Sequence, residues 1–84
     1  MKLATGIGYS GASMRIDMDF VLDVERLGYD SIWTAEAYGS DAVTPLAYIA
    51  ALTTKIKLGT SIMQIPGRTP AMCAMTMSTL DAIS

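Results

Sequence analysis

Leu3-Ala4-Thr5-Gly6-Ile7-Gly8 opens the chain as a short apolar run closed by glycines, the pattern of a buried strand. Residues near 14–27 then change to a helical period. Ile16, Phe20, Val24 and Leu27 fall at i, i+4, i+8 and i+11 and predict one buried stripe, with Asp19, Asp23 and Arg26 on the opposite face. Gly28 follows as the expected C′ residue, because glycine enters the left-handed cap conformation without a Cβ penalty. Ser31-Ile32-Trp33-Thr34-Ala35 reads as a second strand that ends at Glu36.

Thr44-Pro45 predicts a helix start, the hydroxyl capping a free N–H and the proline sitting where no hydrogen bond is lost. That helix runs over roughly 45–53 with Leu46, Ile49, Ala50 and Leu52 as its apolar positions. Ile56–Met63, entered through Lys55 and Lys57, is the third strand, and Thr69-Pro70 starts a last helix that runs to the C-terminus. Strand, loop, Thr-Pro and helix therefore recur after 25 residues, from 44 to 69, a weak internal repeat of the kind an α/β barrel shows. The order β-α-β-α-β-α with short connections predicts parallel strands joined by crossovers.

The last helix has almost no polar face: Met72, Ala74, Met75, Met77, Leu80 and Ile83 crowd it, and from Leu58 to Ser84 the only charges are Arg68 and Asp81. A helix lying on the surface of a sheet should carry a polar side. Two readings follow, a methionine-filled core helix and a helix covered on a second side by additional chain.

Composition sharpens that point. The chain has 84 residues, of which 51% are apolar and 17% charged, against about 25% charged in a typical soluble domain. A chain of this length holds one small core, so the apolar excess implies packing against something more. There is no His, which excludes imidazole-based triads and His metal sites. One Cys makes neither an intrachain disulfide nor a thiolate cage, and no metal site is expected. A net charge of −2 provides no basic stripe for nucleic acid. No apolar run reaches the roughly 18 residues of a membrane span, and glycines interrupt the start too early for a secretory segment. The expectation is a cytoplasmic protein with no nucleic-acid or membrane partner.

Three places carry candidate chemistry. Gly6-Ile7-Gly8-Tyr9-Ser10-Gly11 fits G-x-G-x-x-G with Glu36 ending the second strand, the formal context of a dinucleotide fingerprint. The fit is incomplete, because the helical stripe begins only near Ile16, whereas a true fingerprint starts its helix inside the glycine run. Glu36 itself sits at the C-terminal edge of a parallel strand, where α/β folds bind ligands; the alternatives are a solvated carboxylate or a cap for the following turn. Trp33 points away from the face of Glu36 and is expected in the core. Thr60-Ser61-Ile62-Met63-Gln64 forms the matching edge of strand three, where small hydroxyl residues and glycine let a flat ring approach the backbone. Arg68 precedes a helix start, where an anion contact or a solvated side chain are both open, and Cys73 among apolar neighbours reads as an inert small hydrophobe.

Taken together, Glu25-Arg26-Leu27-Gly28-Tyr29-Asp30-Ser31-Ile32-Trp33-Thr34-Ala35-Glu36, Thr44-Pro45-Leu46, Ile56-Lys57-Leu58-Gly59-Thr60-Ser61-Ile62 and Arg68-Thr69-Pro70 resemble the luciferase-like monooxygenase superfamily. The likeness is to its branch that uses the deazaflavin coenzyme F420, near the methylenetetrahydromethanopterin reductases. The resemblance implies an α/β fold in which residues 1–84 form the first three βα units of a (β/α)8 TIM barrel, a partial domain that stops after the third unit. It also implies a homo-oligomer, and hydride transfer between the coenzyme and a small-molecule substrate. Coenzyme contacts carried over by the likeness are Glu36 at the end of strand two, and Ser61 and Ile62, whose connecting bond would be a non-proline cis peptide in a bulge under the ring. Sugar-phosphate dehydrogenases of the family place a catalytic His after that acid, whereas this chain has Ala37, and no catalytic acid or base is nominated.

The expectation is therefore the N-terminal part of a coenzyme F420-dependent oxidoreductase, inactive as an isolated chain of 84 residues. Three alternatives accompany it: an FMN-dependent monooxygenase segment, a non-catalytic self-associating α/β module, and a small dinucleotide-binding half-fold.

Overall fold

A computed structural model describes residues 1–8 and 15–84 of the chain. The element order is β1 (Ala4–Gly8), α1 (Met18–Arg26), β2 (Ser31–Ala35), α2 (Val43–Leu52), β3 (Lys57–Ile62) and α3 (Pro70–Ile83). The strands form one parallel sheet in the order β1-β2-β3. This is an α/β architecture of three βα units with parallel strands.

Helices cover one face of the sheet. Val21 and Val24 of α1 meet Ile32 of β2, Ile49 of α2 and Ile56 in one cluster, while Val43 and Leu46 of α2 meet Leu80 of α3 in a second. Leu58 of β3 packs against both. Among the described residues no helix covers the other face, and along it Gly6, Trp33 and Gly59 share one cross-strand row. Trp33 is 39% exposed there, which corrects its expected place in the core. Alternation along the strand explains it: Ile32 and Thr34 take the helix-covered side, so Trp33 must take the other. The indole is held, with Nε1–H donating to Ser31 Oγ at 2.8 Å and the ring lying against Gly59.

Helix boundaries follow cap chemistry more than the apolar stripe did. Helix α1 starts at Met18, because the Asp17 carboxylate accepts from the Phe20 N–H at 3.1 Å. The expected start near residue 14 lies outside the described residues, and Arg15 to Asp17 are not helical. Val21 and Val24 form the buried face; Phe20 sits about 100° around the helix from Val21 and is exposed, and Leu27 is already the C-cap. Gly28 adopts φ +85°, the left-handed cap expected of it.

Helix α2 begins at Val43, so Thr44 is not its cap. Ala42 holds the cap position without a side-chain bond, and Asp41 just before it accepts from the Val43 and Thr44 N–H groups at 3.0 and 2.9 Å. At α3 the Thr-Pro start holds: the Thr69 hydroxyl accepts from the Met72 N–H at 3.1 Å and Pro70 opens the first turn. Only Leu80 of α3 is buried, while Met72, Met75 and Ile83 are exposed. That overturns the core-helix reading within this chain: one layer of sheet and one neighbouring helix touch only one side of a helix that is apolar on all sides.

At the N-terminal end of the strands a single carboxylate fixes the entry to β3. Glu25 accepts from the Thr54, Lys55 and Ile56 N–H groups at 2.9, 2.7 and 3.0 Å. Burial pushes its pKa up, but those three donors outweigh it and hold the carboxyl below its usual value of 4.5.

A Cβ placed on Gly59 would lie 2.6 Å from two carbons of the Trp33 ring, and the hydrogen bond to Ser31 restrains the indole from moving aside. Gly59→Ala is expected to destabilise by about 1–3 kcal/mol, the usual cost of overpacking. The check is a denaturant midpoint followed by the emission of the single tryptophan; an unchanged midpoint and spectrum would contradict this packing.

Candidate functional site

The C-terminal edge of the strands is where the sequence places its candidates, and the structure brings Glu36, Ser61 and Ile62 together there. Both sheet pairings shift register at this end. β1 pairs Gly6 with Trp33 and Gly8 with Thr34, and β3 pairs Thr60 with Thr34 and Ile62 with Ala35. Ser61 is thus the extra residue of a bulge on β3, at the place where one was expected. The Ser61–Ile62 bond is trans, since there are no cis peptide bonds among the described residues; this corrects the cis bond implied by the family likeness. The register shift accommodates the extra residue, and the Ser61 Oγ–H donates to the Thr34 carbonyl at 3.0 Å to hold it. Ile62 remains 61% exposed beside it.

Glu36 follows β2 directly and is buried, at 7% exposure. One carboxylate oxygen, Oε1, accepts from the Gln64 N–H at 2.7 Å; the other, Oε2, accepts from the Ala42 N–H at 2.8 Å and from Arg68 Nη2 at 2.6 Å. Its own N–H donates to the Ile62 carbonyl at 3.1 Å. Thr34, wholly buried one turn of the pleat earlier, donates through Oγ1 to the Ala42 carbonyl at 2.6 Å. Glu36 is therefore neither a solvated carboxylate nor a cap of one turn. It joins the β2–α2 loop to the β3–α3 loop.

Arg68 is not solvated, and the guanidinium is already committed to carboxylates. It lies 2.6 Å from Glu36 and 3.8 Å from Asp41, and its side chain is only one-fifth exposed. Sequence reasoning missed Asp41, Ala42 and Gln64 as members of this network. Asp41 had a readable signal, an Asx residue shortly before an apolar helical run. The amides of Ala42 and Gln64 had none, because any residue supplies an N–H.

These loops border a depression of about 290 Å³ lined by Glu36, Gly39, Asp41, Gln64, Gly67 and Arg68. A larger groove of about 690 Å³ lies at the opposite end of the strands, between Thr53–Leu58 and the last turn of α3, and none of the candidate residues line it. The glycine run Gly6–Gly11 lies partly outside the described residues, and α1 begins beyond it at Met18. Among the described residues no group of three His, Cys, Asp or Glu side chains is placed to hold a metal. No described helix is long and apolar enough to cross a membrane.

Burial pushes the Glu36 carboxyl toward a higher pKa, but the Gln64 and Ala42 amides and the Arg68 guanidinium more than offset it, so the group lies below its usual 4.5. Asp41 is likewise lowered: its burial opposes, and its hydrogen bonds from Thr44 and Val43 prevail. A carboxylate with a depressed folded pKa contributes stability that is complete above the unfolded value and is lost as pH falls through the folded one. Urea midpoints are therefore expected to be level at neutral pH and to fall below about pH 4.5. In Glu36→Gln the neutral-pH midpoint drops and the acid slope becomes shallower; an acid slope equal to wild type would refute the assignment.

The comparisons with known proteins agree with this geometry. The model of the luciferase-like monooxygenase family matches residues 2–84. A protein of Mycobacterium tuberculosis (strain ATCC 25618 / H37Rv), provisionally named coenzyme F420-dependent oxidoreductase Rv3520c, is 46% identical over 85 residues; the match takes in 100% of this chain and 24% of the relative. The chain thus spans about a quarter of the length of the curated relative it matches. No solved structure matches. With a parallel βα sheet, a bulge at the end of its third strand and a family match across nearly its whole length, the chain belongs to the luciferase-like monooxygenase family.

Proposed function

We propose that these residues form the first three βα units of a barrel oxidoreductase that uses the deazaflavin coenzyme F420. The single observation that carries the reading is the bulged end of β3, Ser61–Ile62, lying open beside the buried Glu36 at the C-terminal edge of the sheet. The name of the Mycobacterium tuberculosis relative supports the choice of F420 over FMN. The coenzyme, when bound, supplies a carbon that accepts or donates hydride; the protein supplies position and environment.

The residues at this strand edge fit a flat ring. Ser61 turns its hydroxyl to the Thr34 carbonyl, so the bulge presents backbone and the apolar Ile62 side chain. Glu36 borders that surface and sets its height relative to β2 through the Gln64 amide. Ala37, one residue on, has no titratable side chain and supplies no acid or base at that position. The complete site then needs more than these residues, and the 84-residue segment alone is expected to be inactive.

Titration of the protein at its natural length with oxidised F420, FMN and NAD tests the reading, followed by coenzyme fluorescence and by melting temperature. F420 is expected to bind and to raise the melting temperature, as any ligand of the folded state must. Ile62→Asp, which puts a charge on the ring-supporting surface, is expected to weaken F420 binding about tenfold or more, by roughly the desolvation cost of an unpaired charge. Stabilisation by NAD alone would support the dinucleotide alternative, and binding of FMN alone the monooxygenase one.

A second reading rests on a separate observation. The exposed Met72, Met75 and Ile83 of α3, together with the uncovered Trp33 face, favour burial against further protein, and a second copy of the chain would provide it. Light scattering on the natural-length protein checks this: a monomer at all concentrations would remove it.

A further inference from the structure

The function proposed above treats Glu36 as part of the coenzyme site. We infer that Glu36 and Arg68 are a single positioning unit: the carboxylate serves as the internal knot that holds the β3 bulge and the β3–α3 loop in place, and does not bind the coenzyme itself. The inference rests on the bulge being the ring support.

Capacity is the first argument. The two Glu36 oxygens already receive three donors at 2.6–2.8 Å, and the residue is 7% exposed. Of the roughly four acceptor sites of a carboxylate only one, on Oε1, is left, and burial keeps it from a ligand donor unless the Gln64 amide or the guanidinium gives way, which would leave a buried polar group unpaired. Charge is the second. Glu36, Asp41 and Arg68 carry two negative charges and one positive, so the cluster offers no net attraction to an anionic ligand.

Connectivity is the third argument. The Gln64 amide is bound to Glu36, and the Gln64 side-chain N–H donates to the Ala37 carbonyl, so both ends of Gln64 are tied to the β2–α2 loop. The Arg68 N–H closes a turn on the Ile65 carbonyl at 3.2 Å, while its guanidinium returns to Glu36. Its Nε is buried without a partner among the described residues, so the Nη2 contacts to Glu36 and Asp41 carry its orientation. Residues 64–68 are thereby closed into a loop whose two ends meet on one carboxylate. Ser61 and Ile62 enter that loop directly, so movement of the Glu36–Arg68 contact moves the bulge.

A double-mutant cycle in the natural-length protein tests this, with Glu36→Gln, Arg68→Met and the pair together. Two quantities are read: hydrogen exchange at the Gln64 and Ala42 amides, and the dissociation constant for F420. Arg68→Met is expected to weaken F420 binding by about tenfold, as loss of a supporting partner behind a site typically does. Glu36→Gln should match it, and the double variant should be no weaker than the weaker single one, because groups acting as a unit are lost together. Both single variants should speed exchange at Gln64. Arg68→Lys, which keeps the charge and loses the planar fork, should fall between wild type and Arg68→Met in both quantities and covers the case in which Arg68→Met does not fold.

Wild-type affinity in Arg68→Met with a large loss in Glu36→Gln would make Glu36 a direct ligand and overturn the inference. Multiplying losses in the double variant would overturn it as well. Should wild-type protein bind no F420, the functional reading falls, and the exchange measurement still decides whether the two residues act as one unit.

Discussion

The arrangement depends on one buried carboxylate at the end of the central strand. Glu36 leaves β2 with both oxygens facing the two loops that follow β2 and β3, and it accepts from Ala42, Gln64 and Arg68. A charge in that position is tolerable only because donors surround it; removing one leaves an uncompensated group at a site with little water. The same geometry lowers its pKa, defines the loop ends and fixes the open bulge beside it. Stability and site shape are thus two consequences of one set of contacts.

A similar device works at the other end of the sheet, where Glu25 gathers the amides of Thr54, Lys55 and Ile56. Each acid turns a loop toward β3, one before the strand and one after it. The edge strand β3 is therefore anchored at both ends by carboxylates from outside it, while its middle is set by pairing with β2 and by the close approach of Trp33 to Gly59. A one-sided sheet needs such anchoring, since only its helix-covered face contributes apolar burial. The row of Gly6, Trp33 and Gly59 lies on the sheet face that the helices leave uncovered, and Met72 and Met75 of α3 are exposed. Their chemistry agrees with a match that covers a quarter of a longer relative.

Much of this was legible in the chain. Alternation and period located all six elements, and Gly28 and Thr69-Pro70 marked their helix ends correctly. The errors share a cause. Phe20 and Leu27 satisfied a helical stripe but lie at its margin and past its end, and Thr44 satisfied a cap pattern that Asp41 reached first. Trp33 does lie on the face opposite Glu36, but its parity with the buried Ile32 and Thr34 makes that the face the helices leave uncovered. Local signals compete, and the winner is chosen by where the sheet lies.

The amino-acid sequence by itself determined the α/β order, the small hydroxyl residues Thr60 and Ser61 at the end of β3, the presence of an acid at the end of β2 and a high apolar content, because period, residue type and composition are local properties. Only the tertiary structure decided what that acid does. Its three donors come from positions 42, 64 and 68, two of them backbone amides that no side-chain pattern marks, and they converge because parallel pairing of β2 and β3 places their C-terminal ends side by side.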